Sequence, residues 1–222
     1  ISIGTTTLGD TILAKENSAR ACLEMALARG GDQAVVKDRM DFTFFGGRAK
    51  EADRRSKVRS RVTGNSLMEL IGQSSRVFIM GHKNADLDSV GAAMGIACLC
   101  RKKGKQPYIV VDLENNAAEE LIEEIRQVNE YKNAFISGQD ALLMADNRSI
   151  LIVVDTNRPD QVEYRPLLEA ISKVCVVDHH RRAASYIQNA ALSFHEPYAS
   201  SVCELISELL QELVRCYLFE NP

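Results

Sequence analysis

The stretch Val-Phe-Ile-Met-Gly-His-Lys-Asn-Ala-Asp-Leu-Asp-Ser, residues 77–89, decides the fold of this chain. Its first four residues form a continuous apolar run, as expected of a buried parallel strand. Gly81 lets the chain turn sharply where that strand ends. Residues 89–103 are rich in Ala, Met, Ile and Leu and predict a helix, in which Gly91 would allow close packing on the sheet. The stretch therefore predicts a strand, a polar loop and a helix in succession.

The same alternation continues along the chain. Further strands are predicted at Tyr108–Val111, Ile150–Val154 and Val174–Val177. Helices are predicted at Ala117–Tyr131, Pro166–Ser172 and Ser200–Tyr217. This order indicates an α/β fold, a doubly wound and mainly parallel sheet with helices on both faces.

A smaller α+β region is predicted before this sheet. Asn17–Arg29 has helical spacing and ends at Gly30-Gly31, and Gln33–Lys37 is a short β-branched strand. A basic stretch from Arg48 to Arg61 follows and is read as a solvated connector helix.

Composition limits the classes of function. The 222 residues are 45% hydrophobic and 26% charged, with a net charge of −3, so a nucleic-acid polymer is not the expected partner. The six cysteines form no Cys-x-x-Cys pair and are read as buried free thiols. No apolar run has the length of a membrane span, and no signal peptide opens the sequence. Because the first residue is Ile1, we treat the chain as a piece of a longer protein.

Residue types that commonly bind metals follow three of the predicted strands. The first strand leads to His82, Asp86 and Asp88, the third ends at Asp155, and the fourth ends at Asp178-His179-His180. In a parallel sheet, the carboxyl ends of the strands share one edge, where ligands bind. Carboxylates with imidazoles suit manganese or a similar divalent ion. Each residue alone could be a cap or turn residue, but their conjunction at one edge predicts a metal centre. His195 has no partner at a metal-ligand spacing, and a structural role is predicted for it.

These residues resemble motifs of the DHH phosphoesterase family. The matching segments are His-Lys-Asn-Ala-Asp-Leu-Asp-Ser (82–89), Val-Val-Asp-Thr-Asn (153–157) and Val-Asp-His-His-Arg-Arg (177–182). With Glu-Pro-Tyr-Ala-Ser-Ser (196–201), they are most similar to the GdpP-type cyclic-di-AMP phosphodiesterases.

The resemblance implies two manganese ions in the complete enzyme. His82, Asp86 and Asp155 would hold one ion. Asp88, Asp155 and His179 would hold the second, with Asp155 bridging the two.

Further roles are implied around these ligands. Asp178 would orient His179 or act as an acid–base partner, and His180 would lie near the phosphate, so both are expected to be catalytic. Asn84, Ser200 and Ser201 are candidates for substrate contact.

The function implied is manganese-dependent hydrolysis of cyclic-di-AMP to linear pApA by two-metal activation of water. Two alternatives stay open: a DHH-type hydrolase of short oligoribonucleotides or nucleotide phosphates, and a non-catalytic nucleotide-binding regulatory module. The family has one more metal-binding Asp after the long helix, whereas no Asp follows Asp178 here. The chain alone is therefore expected to be incomplete for catalysis.

The resemblance also implies a division into domains. Residues 1–46 are expected to be the end of a degenerate GGDEF domain, residues 47–75 a basic helical linker, and residues 76–222 the DHH domain without its C-terminal substrate-binding domain. The parent protein would be anchored at the cytoplasmic face of the cell membrane and could form a homodimer, whereas the piece itself would be soluble. A cyclic dinucleotide is the expected partner.

Overall fold

The structure, a computed structural model, describes the backbone of residues 1–7, 9, 11–28, 31–38, 41–46, 49–182 and 184–220. The side chains of residues 28, 49–57 and 214–220 are not part of this description. The predicted helix end at Gly30 and the basic side chains from Arg48 to Lys57 therefore lie outside the described residues. The chain divides into two compact units, residues 1–58 and 59–222.

The first unit is a three-stranded sheet with one helix. Its elements, in chain order, are β1 (Ile3–Thr6), α1 (Ile12–Ala28), β2 (Gln33–Asp38) and β3 (Asp41–Gly46). Strands β1 and β2 are parallel, and β3 pairs antiparallel with β2. Cys22, Ala26 and Val35 form its buried core. The predicted α+β unit is present, but β3 is an addition: the alternation of Phe42 and Phe44 with polar residues covers only four residues, which is a weak signal for a strand.

Helix α2 (Ala49–Gln73) spans the boundary between the units. Its C-terminal part contributes Leu67, Met68 and Ile71 to the core of the second unit, and all three are buried. This apolar face anchors the end of α2 immediately before the first strand of the larger sheet.

The second unit is the predicted α/β domain. Its elements are β4 (Val77–Met80), α3 (Leu87–Lys102), β5 (Pro107–Val110), α4 (Glu119–Gln127), β6 (Phe135–Ile136), α5 (Gly138–Met144), β7 (Ile150–Val154), α6 (Arg165–Ala170), β8 (Lys173–Asp178), β9 (Leu192–His195) and α7 (Val202–Glu220). All six strands pair in parallel. One buried cluster joins α3 and α7 to the sheet, and a second joins α5 and α6 to it. The predicted sheet with helices on both faces is confirmed. The two-residue β6, the four-residue β9 and the seven-residue α5 were not predicted, because such short segments show too little periodicity.

The order of the strands shows where a ligand is expected to bind at the edge of the sheet. The sheet runs β6-β5-β4-β7-β8-β9, so the chain moves outward from β4, returns to β7 beside it, and continues in the other direction. The crevice beyond the carboxyl ends of β4 and β7 is therefore the topological switch point, the usual ligand position in such sheets. Within the described residues, no helix is both long enough and apolar enough to cross a membrane.

Two glycines of α3 face another helix, which corrects the expectation for Gly91. A Cβ atom at Gly91 would lie 2.8 Å from Sγ of Cys203, and one at Gly95 would lie 2.4 Å from Cγ2 of Ile206. Both contacted residues belong to α7. Gly91 thus permits close packing of α3 on α7, because its open face points away from the sheet and towards that helix.

Candidate metal centre

The loop after β4 places two of the predicted ligands. Nε2 of His82 lies 3.7 Å from Oδ1 of Asp86. The carboxylate of Asp86 also accepts a 2.9 Å hydrogen bond from the backbone N–H of Ser89, and so caps α3. Asn84 lies between them with a φ of 55°, a left-handed conformation that Asn tolerates better than most residues. The capped helix therefore fixes one ligand, and the turn at Asn84 brings the other beside it.

Asp88 is held by the N-terminus of α7. Its two carboxylate oxygens accept hydrogen bonds from the backbone N–H groups of Val202 (2.9 Å) and Cys203 (3.0 Å). Burial acts to raise the pKa of Asp88, but the hydrogen bonds from Cys203 and Val202 outweigh it and lower this pKa. Oδ2 of Asp88 lies 3.8 Å from Nε2 of His179. Asp88 is thus kept ionised beside a second predicted ligand.

Asp155 lies at the centre of the site. It is 3% exposed and has a φ of 60°, a strained conformation of the kind that concentrates at functional sites. One carboxylate oxygen is 3.4 Å from Nε2 of His82, and the other is 3.6 Å from Nε2 of His179. Asp155 therefore belongs to both predicted ligand sets.

Two groups of side chains in the described part of the chain have the spacing of a metal site. One comprises His82, Asp86 and Asp155, and the other comprises Asp155, His179 and His180. In each group, the potential ligand atoms lie within 4.8 Å of one another. The first group is the first predicted ligand set, whereas the second group contains His180 where Asp88 was predicted. Asp155 is the carboxylate that the two groups share.

The electrostatics of the site favour a bound cation. A hydrogen bond to Asp155 raises the pKa of His82 to about 9, although burial acts in the opposite direction. Burial raises the pKa of Asp155 itself, because its charged form is poorly solvated. Oδ1 of Asp155 is buried without a hydrogen-bond partner among the described residues. A divalent ion would satisfy this oxygen, and the carboxylate and imidazole donors fit manganese or a similar metal.

The structure changes the predicted partner of Asp178. This fully buried carboxylate accepts hydrogen bonds from the backbone N–H and from Nδ1 of His180, at 3.2 Å and 2.9 Å. Nδ1 of His179 instead lies 3.2 Å from the carbonyl oxygen of Ala199. Asp178 reaches His180 because an Asp side chain readily bonds the backbone two residues later, which brings that residue's ring towards it.

The ligand groups line a cavity of about 540 Å³. Its wall includes five residues that the sequence analysis did not select: Thr156, Asn157, Arg158, Gln161 and Arg181. A usable signal existed for four of them. Thr156, Asn157 and Arg158 lie within Asp-Thr-Asn-Arg-Pro (155–159), which is part of the resemblance, and Arg181 lies within the segment 177–182. Gln161 follows in the loop after β7 and had no comparable signal.

The predicted substrate contacts lie elsewhere on the described surface. Asn84, Ser200 and Ser201 are not among the residues that line the cavity. The hydroxyl of Ser201 accepts the backbone N–H of Glu204, and the carboxylate of Glu204 accepts the backbone N–H of Ser200. This arrangement resembles a capping box for α7. Nε2 of His195 contacts the carbonyl oxygen of His180, next to the ligand loop.

Replacing Asp88 by Ala is expected to lower the free energy of unfolding of the metal-free chain by about 1–2 kcal/mol, because α7 loses the acceptor of two N–H groups. Asp88→Asn keeps one acceptor oxygen and should lose less. Urea unfolding in EDTA measures the free energy of unfolding of both variants. The dependence of this free energy on urea concentration should equal that of the wild type if the variants unfold in the same two-state manner. Equal midpoints for Asp88→Ala and the wild type would show that Asp88 does not cap α7.

Comparison with known proteins gives matches over most of the chain. Residues 76–221 match the DHH family, N-terminal domain. The cyclic-di-AMP phosphodiesterase GdpP of Bacillus subtilis (strain 168) is 38% identical over 196 residues, covering 87% of this chain and 30% of that protein. The cyclic-di-AMP phosphodiesterase PdeA of Listeria monocytogenes serotype 1/2a (strain 10403S) is 36% identical over 215 residues, covering 95% of this chain and 33% of that protein. The resemblance predicted from the motifs is confirmed, and the chain spans about a third of these relatives.

A solved structure supports the fold. An exopolyphosphatase-related protein from Bacteroides fragilis matches with a TM-score of 0.51 and 13% identity, over 68% of this chain and 44% of that protein. At this identity, the likeness concerns the fold. The DHH match rests on residues 76–221, which leaves the GGDEF assignment of residues 1–46 as a prediction.

Proposed function

Because this chain belongs to the DHH family, we propose that it is the metal-binding part of a phosphodiesterase that hydrolyses cyclic-di-AMP to linear pApA. The observation that carries this proposal is the position of Asp155, whose carboxylate belongs to two groups of potential ligands in one cavity. The identity of the substrate is supported by relatives, 36–40% identical, that are named cyclic-di-AMP phosphodiesterases.

We propose that the site holds two manganese ions. His82, Asp86 and Asp155 would hold one, and Asp88, Asp155 and His179 the other. When bound, two such ions activate water and neutralise charge on the phosphate oxygens. The chain supplies the arrangement: α7 keeps Asp88 ionised, the cap on α3 fixes Asp86, and Asp178 fixes His180 at the cavity wall.

The resemblance of the motifs to this family implies further proposals for the rest of the protein. Residues 1–46 would be the end of a degenerate GGDEF domain and residues 47–75 a linker. The protein would be membrane-anchored on its cytoplasmic side and could form a homodimer. The Listeria relative is similar over 95% of the chain, so its similarity includes residues of the first unit.

Hydrolysis tests the proposal directly. The chain would be incubated with cyclic-di-AMP and manganese, beside a version extended through the C-terminal segment that the family implies. Products would be separated by chromatography, and each version would have an Asp155→Asn control. Linear pApA from the extended version, lost in its control, is the expected result. Cleavage of pApA or short oligoribonucleotides in preference to cyclic-di-AMP would favour the hydrolase alternative. Binding of cyclic-di-AMP without cleavage would favour a regulatory module.

Arg181 and Arg182 form a matched pair for testing the substrate. Arg181 lines the cavity, whereas Arg182 lies over the ring of Tyr186, and both side chains are exposed. We expect Arg181→Gln to raise KM for cyclic-di-AMP in the extended version about tenfold or more, because a guanidinium binds phosphate through charge-assisted hydrogen bonds. Arg182→Gln removes the same charge, but at an exposed position where solvent screens it. We therefore expect the KM to change by less than about twofold.

We propose that Arg181 binds the phosphate of cyclic-di-AMP that is not being cleaved, while the metals engage the other. Bis(p-nitrophenyl) phosphate has a single phosphodiester, which the metals would engage, so Arg181→Gln should leave the KM for this substrate near the wild-type value. Equal effects of the two arginine variants on cyclic-di-AMP would contradict a specific role for Arg181.

A further inference from the structure

We propose that Asn157 is a positioning residue that, through Asp178, sets which ring nitrogen of His180 carries the proton. This inference rests on the proposed function, because it assumes that His180 acts on a ligand in the cavity. Asn157, Asp178 and His180 form one chain of hydrogen bonds that joins the loop after β7 to the loop after β8.

The carboxylate of Asp178 receives its donors from both sides. Oδ1 accepts the backbone N–H and Nδ1 of His180, and Oδ2 accepts the side-chain amide of Asn157. Asp178 is fully buried, and a buried carboxylate needs such donors, since each unsatisfied lone pair has a desolvation penalty. Of these three donors, two belong to His180 itself, and the third is the side-chain amide of Asn157.

This environment determines the tautomer of His180. Both oxygens of Asp178 already face N–H donors, from the backbone of His180 and from Asn157, so this carboxylate acts as an acceptor and Nδ1 of His180 must carry a proton to bond it. Nδ1 also lies 3.7 Å from Asp155, which is too long for a competing hydrogen bond. Nε2 is then the nitrogen that can exchange a proton with a ligand in the cavity, which His180 lines.

The orientation of Asn157 is fixed as well. Its side chain is 5% exposed, and its backbone carbonyl accepts a 2.9 Å hydrogen bond from Ile187. A reversed amide would place Oδ1 against Oδ2 of Asp178, two acceptors in contact, so the NH₂ group must face the carboxylate. Without this donor, the Asp178 carboxylate keeps, among the described residues, only the hydrogen bonds at Oδ1, both from His180 itself, so the constraint on the ring of His180 weakens.

The test is a spectrum of the histidine rings in the metal-free chain. The sequence has four histidines, so long-range ¹H–¹⁵N spectra of ¹⁵N-histidine-labelled protein are simple, and His180→Gln assigns the signals of interest. We expect the neutral ring of wild-type His180 to be the Nδ1–H tautomer. Asn157→Ala should convert it to a mixture of tautomers, and Asn157→Ser, which keeps a donor, should restore the single form.

A matched substitution controls for the general effect of an amide-to-carboxylate change. Asn157→Asp places an acceptor against Asp178 and should alter the His180 signals. Asn115→Asp makes the same change at an exposed amide, which donates to Asp112, and should not. An Nε2–H tautomer in the wild type would overturn the inference even if no Asn157 variant folds. Unchanged signals in a folded Asn157→Ala variant would overturn it too. Neither measurement requires turnover, so a failure of this inference can be told apart from a failure of the proposed hydrolysis.

Discussion

Replacing Asp155 by Asn is expected to abolish the stabilisation of the chain by manganese. A ligand that binds the folded state at a hundred times its Kd adds about 2.7 kcal/mol to the free energy of unfolding. Asp155 belongs to both groups of potential ligands, so its loss should remove this gain at both positions. In a version that turns over substrate, we expect hydrolysis to fall by at least roughly 10²–10³-fold, as when a group that stabilises transition-state charge is removed.

The same substitution has two opposing effects on the metal-free fold, so we expect little net change in its stability. Burial raises the pKa of Asp155, and a neutral Asn removes the penalty of burying an ionised carboxylate. It also removes the acceptor that raises the pKa of His82 to about 9, and with it the stability that this pair contributes at neutral pH. Asn tolerates the left-handed backbone at this position.

Thermal unfolding with and without manganese measures both parts of this prediction. Glu123→Gln on the exposed face of α4 removes one negative charge away from the cavity, and should keep the full manganese response. A normal manganese shift in Asp155→Asn would reject Asp155 as a shared ligand. A large loss of metal-free stability would show that the carboxylate mainly supports the fold.

Gly95→Ala is expected to destabilise the chain by about 1–3 kcal/mol, the usual range for overpacking a buried contact. The added Cβ would lie 2.4 Å from Cγ2 of Ile206, which is buried on α7. The helices must then separate. Because Asp88 of α3 binds the N-terminus of α7, the movement should also weaken manganese binding.

Gly72 provides the control for Gly95. It also lies in a helix, but nothing in the described part of the chain packs within 4 Å of the position that an added Cβ would occupy. Gly72→Ala should therefore stabilise the chain by up to about 1 kcal/mol, since it lowers the entropy of the unfolded state. Urea unfolding of the two variants, with manganese affinity measured by calorimetry, gives the comparison. Equal stability of both variants would show that α3 and α7 do not pack closely at Gly95.

The sequence by itself determined the architecture of the second unit and the identity of its ligand candidates. The apolar runs at 77–80 and 150–154 are buried strands with the predicted bounds, because parallel strands covered on both faces need apolar residues at every position. Ligand residues that directly follow such strands must share an edge, so His82, Asp155 and His179 could be grouped without coordinates.

The tertiary structure alone decided how these residues are connected. Asp88 binds the backbone of α7 across 114 positions of sequence, and Asn157 binds Asp178 across 21. No local pattern encodes such contacts, since they depend on the order of strands in the sheet and on how closely two helices approach. The same reason explains why Gly91 was paired with the wrong surface. Asp178 was paired with the wrong histidine for a different reason: the local bond from an Asp side chain to the residue two positions later was not considered. Residue type and spacing determine which groups reach the edge of the sheet, whereas packing determines which of them touch.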